Sequence, residues 1–265
     1  MKKKLSFYIC ISFILVGHTQ ENNQGIVYYG HKESFGMGAP IGLDYNAYLV
    51  FNSNTSTYVS QKDSLEGGPV KEFVRIKTED KRLFVHTKIT NTHGFIHHVD
   101  RKKGLFISRD IGFRYVKQSI PKIKWNIGKE TKVIGNLKCY KATTGFRGRE
   151  YTAWFTLEIP LPFGPWKLQG LPGLILEAYD TNKEVYFYFK SIKYPTTKNI
   201  PIIKPNPVAE NKHWITFEEY RTQLYDTHRK RIENGRLMIE QAGIDSEENK
   251  ASMKISYIEV FDNLQ

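Results

Sequence analysis

The chain is poor in cysteine: two in 265 residues, Cys10 and Cys139. Cys10 sits in an N-terminal stretch that reads as a removable leader, so a single thiol is expected to remain and an internal disulfide is excluded. The core must then hold by packing alone. Apolar runs are short as well. The longest, from Leu5 to Val16, is about a dozen residues, well under the roughly 20 needed to span a bilayer. Also missing are a nucleophile elbow, a zinc-protease helix, a phosphate-cradling glycine loop and a paired-cysteine metal site. Each of these absences removes a well-defined class of enzyme chemistry.

The leader has the layout of a secretory signal. Lys2, Lys3 and Lys4 form a positive n-region, the apolar run follows, and Gly17-His18-Thr19-Gln20 closes it, with cleavage expected near Gln20. Of 39 basic and 27 acidic residues its removal takes three lysines and no acid, leaving 36 against 27 and a net charge of +9. No nucleic-acid motif accompanies that charge, and the Lys and Arg are scattered, which reads as a solvated surface with membrane-surface attraction second. Residues 21–265 are expected to form one β-rich domain without a transmembrane span.

Aromatic residues make up 14% of the chain, with 16 Tyr and 16 Phe, and these favour strands. From Gly25 to Pro195 short runs with period-two alternation recur about every ten residues. They are Ile26–Tyr29, Ala47–Phe51, Thr57–Gln61, Phe73–Lys77, Leu83–Ile89, Phe95–Val99, Leu105–Ser108 and Phe113–Lys117. Lys122–Asn126, Lys132–Tyr140, Tyr151–Leu157, Leu174–Tyr179 and Val185–Ile192 complete the set. The pattern predicts a mainly β protein: an antiparallel meander forming a strongly curved sheet or open half-barrel. A proline-rich connector over 195–207 leads to one helix at about 216–233, packed on the sheet. Thr216-Phe217-Glu218-Glu219 is its capping box, Phe217, Tyr220, Leu224 and Ile232 its apolar face, and Asn234-Gly235 its stop. Met253–Phe261 has strand character again. Cys139 shares strand parity with Val133 and Leu137, which predicts a buried, inert thiol.

The least ordinary stretch lies between the strands ending near Leu157 and beginning at Leu174. It holds Pro160, Pro162, Pro165 and Pro172, three glycines, and the apolar Phe163, Trp166, Leu168 and Leu171. Hairpin loops usually have two to five residues, so a connection of some fifteen is functional or internally packed. Two roles follow: a plug closing the core, or a lip presenting Phe163 and Trp166 to an apolar ligand or envelope partner. Arg147 and Arg149 would face the same way on an extended chain, pairing with Glu158 or Glu177 or meeting an anionic ligand.

This segment resembles the GLPGLI family of exported proteins from Bacteroidota, through the intact string Gly170-Leu171-Pro172-Gly173-Leu174-Ile175. The likeness extends to Cys139–Ala142, Phe146-Arg147-Gly148-Arg149, Ala153-Trp154-Phe155, Ile159-Pro160 and Gly164-Pro165-Trp166. Leu49–Phe51 and Asn52 followed by Tyr58 match an N-terminal strand pair. The resemblance implies the periplasm or cell envelope of a Gram-negative bacterium. It implies no catalytic residue and no cofactor.

A histidine group around Asn91-Thr92-His93-Gly94 is the remaining constellation. If Leu83–Ile89 pairs with Phe95–Val99, His86 falls opposite His98 with Asp100 beside it, or diagonal to His97, according to loop length. Such a hairpin could offer ligands to a divalent metal ion. Three functions therefore stand as expectations: a non-catalytic binding or carrier protein, a metal-binding protein or metal-dependent hydrolase, and a structural envelope component.

Overall fold

In a computed structural model the described residues are 24–35, 37–77, 83–196, 198–241 and 258–261. The expected signal segment and most of the expected last strand lie outside them.

The strands are β1 (Gly25–Glu33), β2 (Leu43–Phe51), β3 (Thr55–Ser60), β4 (Lys71–Lys77), β5 (Leu83–Ile89), β6 (Phe95–Asp100) and β7 (Leu105–Asp110). They continue with β8 (Arg114–Ser119), β9 (Asn126–Ile134), β10 (Leu137–Phe146), β11 (Arg149–Thr156), β12 (Leu174–Asp180), β13 (Val185–Lys193) and β14 (Trp214–Thr216). One helix, α1 (Phe217–Gln241), follows. Twelve strands form one open sheet in the order β14-β8-β7-β6-β3-β2-β1-β13-β12-β11-β10-β9, while β4 and β5 pair apart as a two-stranded ribbon. Apart from the parallel β14–β8 pair, every pairing between the described strands is antiparallel. The expected fold class, a curved antiparallel sheet with one C-terminal helix, is the observed one.

Alternation sorts the side chains. Val27, Tyr29, His31 and Glu33 share one face of β1. Register carries that face through Leu49, Ala47, Tyr45 and Leu43 on β2, and on through Tyr58, His97 and Val99. On the other side of β1 it runs through Phe187 to Ala178, Ala153 and Ala142. This inner face holds the main hydrophobic core. The loop from Ile159 to Gly173 folds over it, placing Phe163 (0% exposed), Trp166 (3%), Leu168 (1%) and Leu171 (1%) inside. All four side chains are therefore packed into the core, as a plug would place them, and Trp166 also borders a cavity over the inner face. Proline-fixed backbone makes the loop compact, with the Leu174 amide donating to the Ile159 carbonyl at 3.0 Å and the Ile175 amide to Phe163 at 2.9 Å.

Three sequence expectations are corrected. The run 132–140 is not one strand, because Gly135 and Asn136 both take positive φ (56° and 68°) and turn the chain between β9 and β10. Parity therefore resets: Val133 lies opposite Lys138 and is exposed, whereas Cys139 is buried. Lys122–Trp125 is irregular and the strand begins at Asn126. The helix runs through Asn234-Gly235 to Gln241, since an interior glycine costs a helix only about 1 kcal/mol and stops it only when it adopts a left-handed conformation. The capping box forms as expected: the Glu219 amide donates to Thr216 Oγ1 (3.2 Å) and the Thr216 amide to Glu219 Oε2 (2.7 Å). Tyr220 and Leu224 are buried beside Val116 and Ile215.

Candidate functional site

A cavity of about 330 Å³ opens over the inner face. The sheet contributes His31 and Glu33 from β1, Tyr45 from β2, His97 from β6 and Asp110 from β7, with Gln61 just past β3. Trp166 of the plug forms one wall, the β4–β5 ribbon contributes His86, Thr87 and Ile89, and Ile258 closes another side.

Burial governs the chemistry of the polar wall. The Glu33 carboxyl accepts a hydrogen bond from Gln61 Nε2 at 2.9 Å and lies 3.4 Å from His31 Nε2. Loss of water raises its pKa to about 7, only partly offset by Gln61. Burial, and then the neighbouring His97, pushes His31 down to about 3, so it stands neutral. The rings of His31 and His97 each sit 6.2 Å from the ring of Tyr58, which lies between them on the same face. Among the described residues each imidazole has a carboxylate at the edge of hydrogen-bond reach, His31 Nε2 3.4 Å from Glu33 and His97 Nε2 3.5 Å from Asp110.

Asp110 has the opposite fate. Burial alone would raise its pKa, but Lys167 Nζ at 2.8 Å and His97 Nε2 at 3.5 Å hold it well below the usual carboxylate range. The Tyr220 hydroxyl donates to it at 2.9 Å and Ser108 Oγ at 3.2 Å. Lys167, 1% exposed, also reaches Glu259 at 2.8 Å, and Glu259 lies 3.3 Å from Arg147. A buried chain of alternating charge thus ties the plug, β7 and the segment 258–261 together behind the cavity.

The arginines of the sequence reading are paired, though with other acids than Glu158 or Glu177. Arg149 reaches Asp180 at 2.5 Å and Glu184 at 3.3 Å, while Arg147 lies over the Phe217 ring at 3.7 Å. They do not face the same way as on an extended chain, because Arg147-Gly148 is the two-residue turn between β10 and β11, with φ of 51° and 74°.

The expected metal set is divided. β5 pairs with β4, so His86 lies opposite Val74 rather than opposite His97 or His98. His97 faces the cavity, whereas His98 faces the other side of the sheet, its Nδ1 2.8 Å from Thr57 Oγ1 beneath Ile203 of the connector. Asp100 shares that outer parity and its carboxylate accepts from the Lys103 amide. Among the described residues no three His, Cys, Asp or Glu side chains converge as a metal site.

Sequence reasoning missed His31, Glu33, Asp110 and Lys167. The signal for the first two was present: the alternation Val27, Tyr29, His31, Glu33 continues past Tyr29 with polar residues in apolar positions. Nothing local marks Lys167 or Asp110, which meet only through the fold.

Comparison with known proteins adds little chemistry. A family model described as a protein of unknown function, Porph_ging, matches residues 146–177, the stretch from the β10–β11 turn through the plug into β12. No curated protein matches the chain. Among solved structures, PNGF-II in its P21 crystal form is similar over 76% of this chain and 32% of its own, with 14% identity and a TM-score of 0.50. Its C2 form gives 12% identity and a TM-score of 0.47 over 73% and 31%. This chain therefore spans about a third of the length of PNGF-II, and the likeness to the P21 form is one of fold alone.

Proposed function

We propose that this chain is an exported, non-catalytic binding protein of the cell envelope that holds a small ligand in the cavity over its inner face. The observation carrying this reading is the cavity itself. Its volume of about 330 Å³ falls in the range of small-molecule sites, generally about 300–1,000 Å³. Its lining joins aromatic and aliphatic walls to a few convergent polar groups, the usual composition of such sites. The plug supports the reading by giving Trp166 a fixed place, since a preorganised wall spares the entropy of ordering it on binding. Export and envelope location rest on the charged and apolar segments of residues 2–16 and on the resemblance to the GLPGLI family.

Native mass spectrometry of the protein released gently from its own envelope tests this. A bound small molecule is expected above controls, and Thr87→Trp, which fills the cavity from the ribbon, is expected to expel it without unfolding the sheet. Recovery of both forms without a ligand would reject the reading and leave a structural envelope component.

A further inference from the structure

We infer that the ligand of this cavity is a small organic cation, an amine or quaternary ammonium ion, whose charge is met by the carboxylate of Glu33 among aromatic rings. The inference rests on the proposed binding role and names the chemical class bound. The chain carries 39 Lys and Arg among 265 residues, yet none of the described residues lining the cavity is one of them. The lining does include two carboxyl groups, three histidines and the rings of Phe35, Tyr45, Phe95 and Trp166.

The two carboxyl groups differ in a way that selects the ligand. Asp110 already has its cation in Lys167, 2.8 Å away. Among the described residues Glu33 has only the Gln61 amide and the neutral His31 beside it. Sharing its cavity are His31 on its own strand, Tyr45 on β2, His86 on β5, His97 on β6 and Asp110 on β7, so no permanent positive charge faces it from these elements. A carboxyl largely withdrawn from water (15% exposed) and without a counter-ion favours its protonated form, and its pKa of about 7 reflects this. A cation entering the cavity would supply the missing charge, releasing that proton, while aromatic faces attract cations through their quadrupoles. An anion would meet Glu33 and Asp110 with no arginine or lysine on the lining to offset them.

Binding measured by calorimetry with choline and phenethylammonium, against the uncharged 3,3-dimethylbutan-1-ol and 2-phenylethanol, tests the inference. At pH 8 at least one cation is expected to bind tenfold or more tighter than its uncharged counterpart. Choline carries a permanent charge, so its affinity should fall about tenfold per pH unit below about 7 as the Glu33 proton competes. Glu33→Gln should abolish the preference for cations, so that each cation binds no more tightly than its uncharged counterpart. If Glu33→Gln misfolds by circular dichroism, the pH series on the unaltered chain decides. Uncharged probes binding as tightly as cations, or a choline affinity flat from pH 5 to 8, overturns the cation inference alone. Failure of all four probes also overturns the cation inference, whereas ligand-free recovery in native mass spectrometry overturns the binding role beneath it.

Discussion

Glu33 and His31 lie two residues apart on one strand face, and burial displaces them in opposite directions. The signs follow from linkage. Glu33, raised from 4.5 to about 7, contributes stability below pH 4.5 that is lost as pH rises to about 7. His31, lowered from 6.5 to about 3, and His98, lowered to about 4, contribute stability above pH 6.5 that is lost as pH falls. Between pH 4.5 and 6.5 the Glu33 contribution therefore offsets part of that of the two histidines. Glu33→Gln should gain stability relative to the unaltered chain by about 1.4 kcal/mol per pH unit from pH 4.5 to 7. Urea titrations across that range would show it, and parallel curves would mean that Glu33 ionises as it does in water. Lys167 is the other decisive residue. Lys167→Met leaves the Asp110 and Glu259 carboxylates buried without their shared cation, at a cost of about 3–5 kcal/mol. Adding Asp110→Asn and Glu259→Gln should restore most of it, because the loss comes from uncompensated charge rather than from missing contact.

At the scale of elements the plug is decided by its glycines, which do different work. Gly173 has no room for a Cβ, which would fall 1.9 Å from the Thr156 carbonyl oxygen, a backbone atom that cannot swing away. Gly170 has open space around it but a φ of 92°. Gly173→Ala is therefore expected to cost about 3 kcal/mol or more, and Gly170→Ala about 1 kcal/mol. Equilibrium unfolding of the two variants compares them directly, and equal losses would contradict the packing of the loop against β11. The apolar composition of this loop was legible as a plug or a lip. Which of the two it is depends on the inner face it meets, made of strands as distant in sequence as β1 and β13.

Across the whole molecule, stability comes from packing without covalent staples among the described residues. Cys139 is fully buried, and burial raises its thiol to about 11. In a Cys10→Ser chain, labelling of Cys139 by a thiol reagent should follow global unfolding and be negligible under native conditions. Fast labelling of the folded protein would show that β10 opens locally. The positive charge is kept from the cavity: among the described residues no Lys or Arg lines it, and the buried Lys167 lies behind it on Asp110.

Local pattern by itself determined the β class, most strand positions and the helix start at its capping box, whereas the thiol is buried for a reason other than the parity with Val133 that predicted it. The first three follow from interactions between near neighbours in the chain: alternation along a strand, or a hydroxyl meeting an amide three residues on. It did not determine which strands pair. The histidine hairpin was therefore misread, because His86 belongs to a ribbon paired with β4, and adjacent His97 and His98 point to opposite faces. Only the tertiary structure decided that His31, Glu33, His97 and Asp110 share one cavity and that Lys167 neutralises Asp110 but not Glu33, which has no cation beside it among the described residues. Such selectivity arises from burial and from charges brought together across long stretches of chain, and neither is written in any local run of residues.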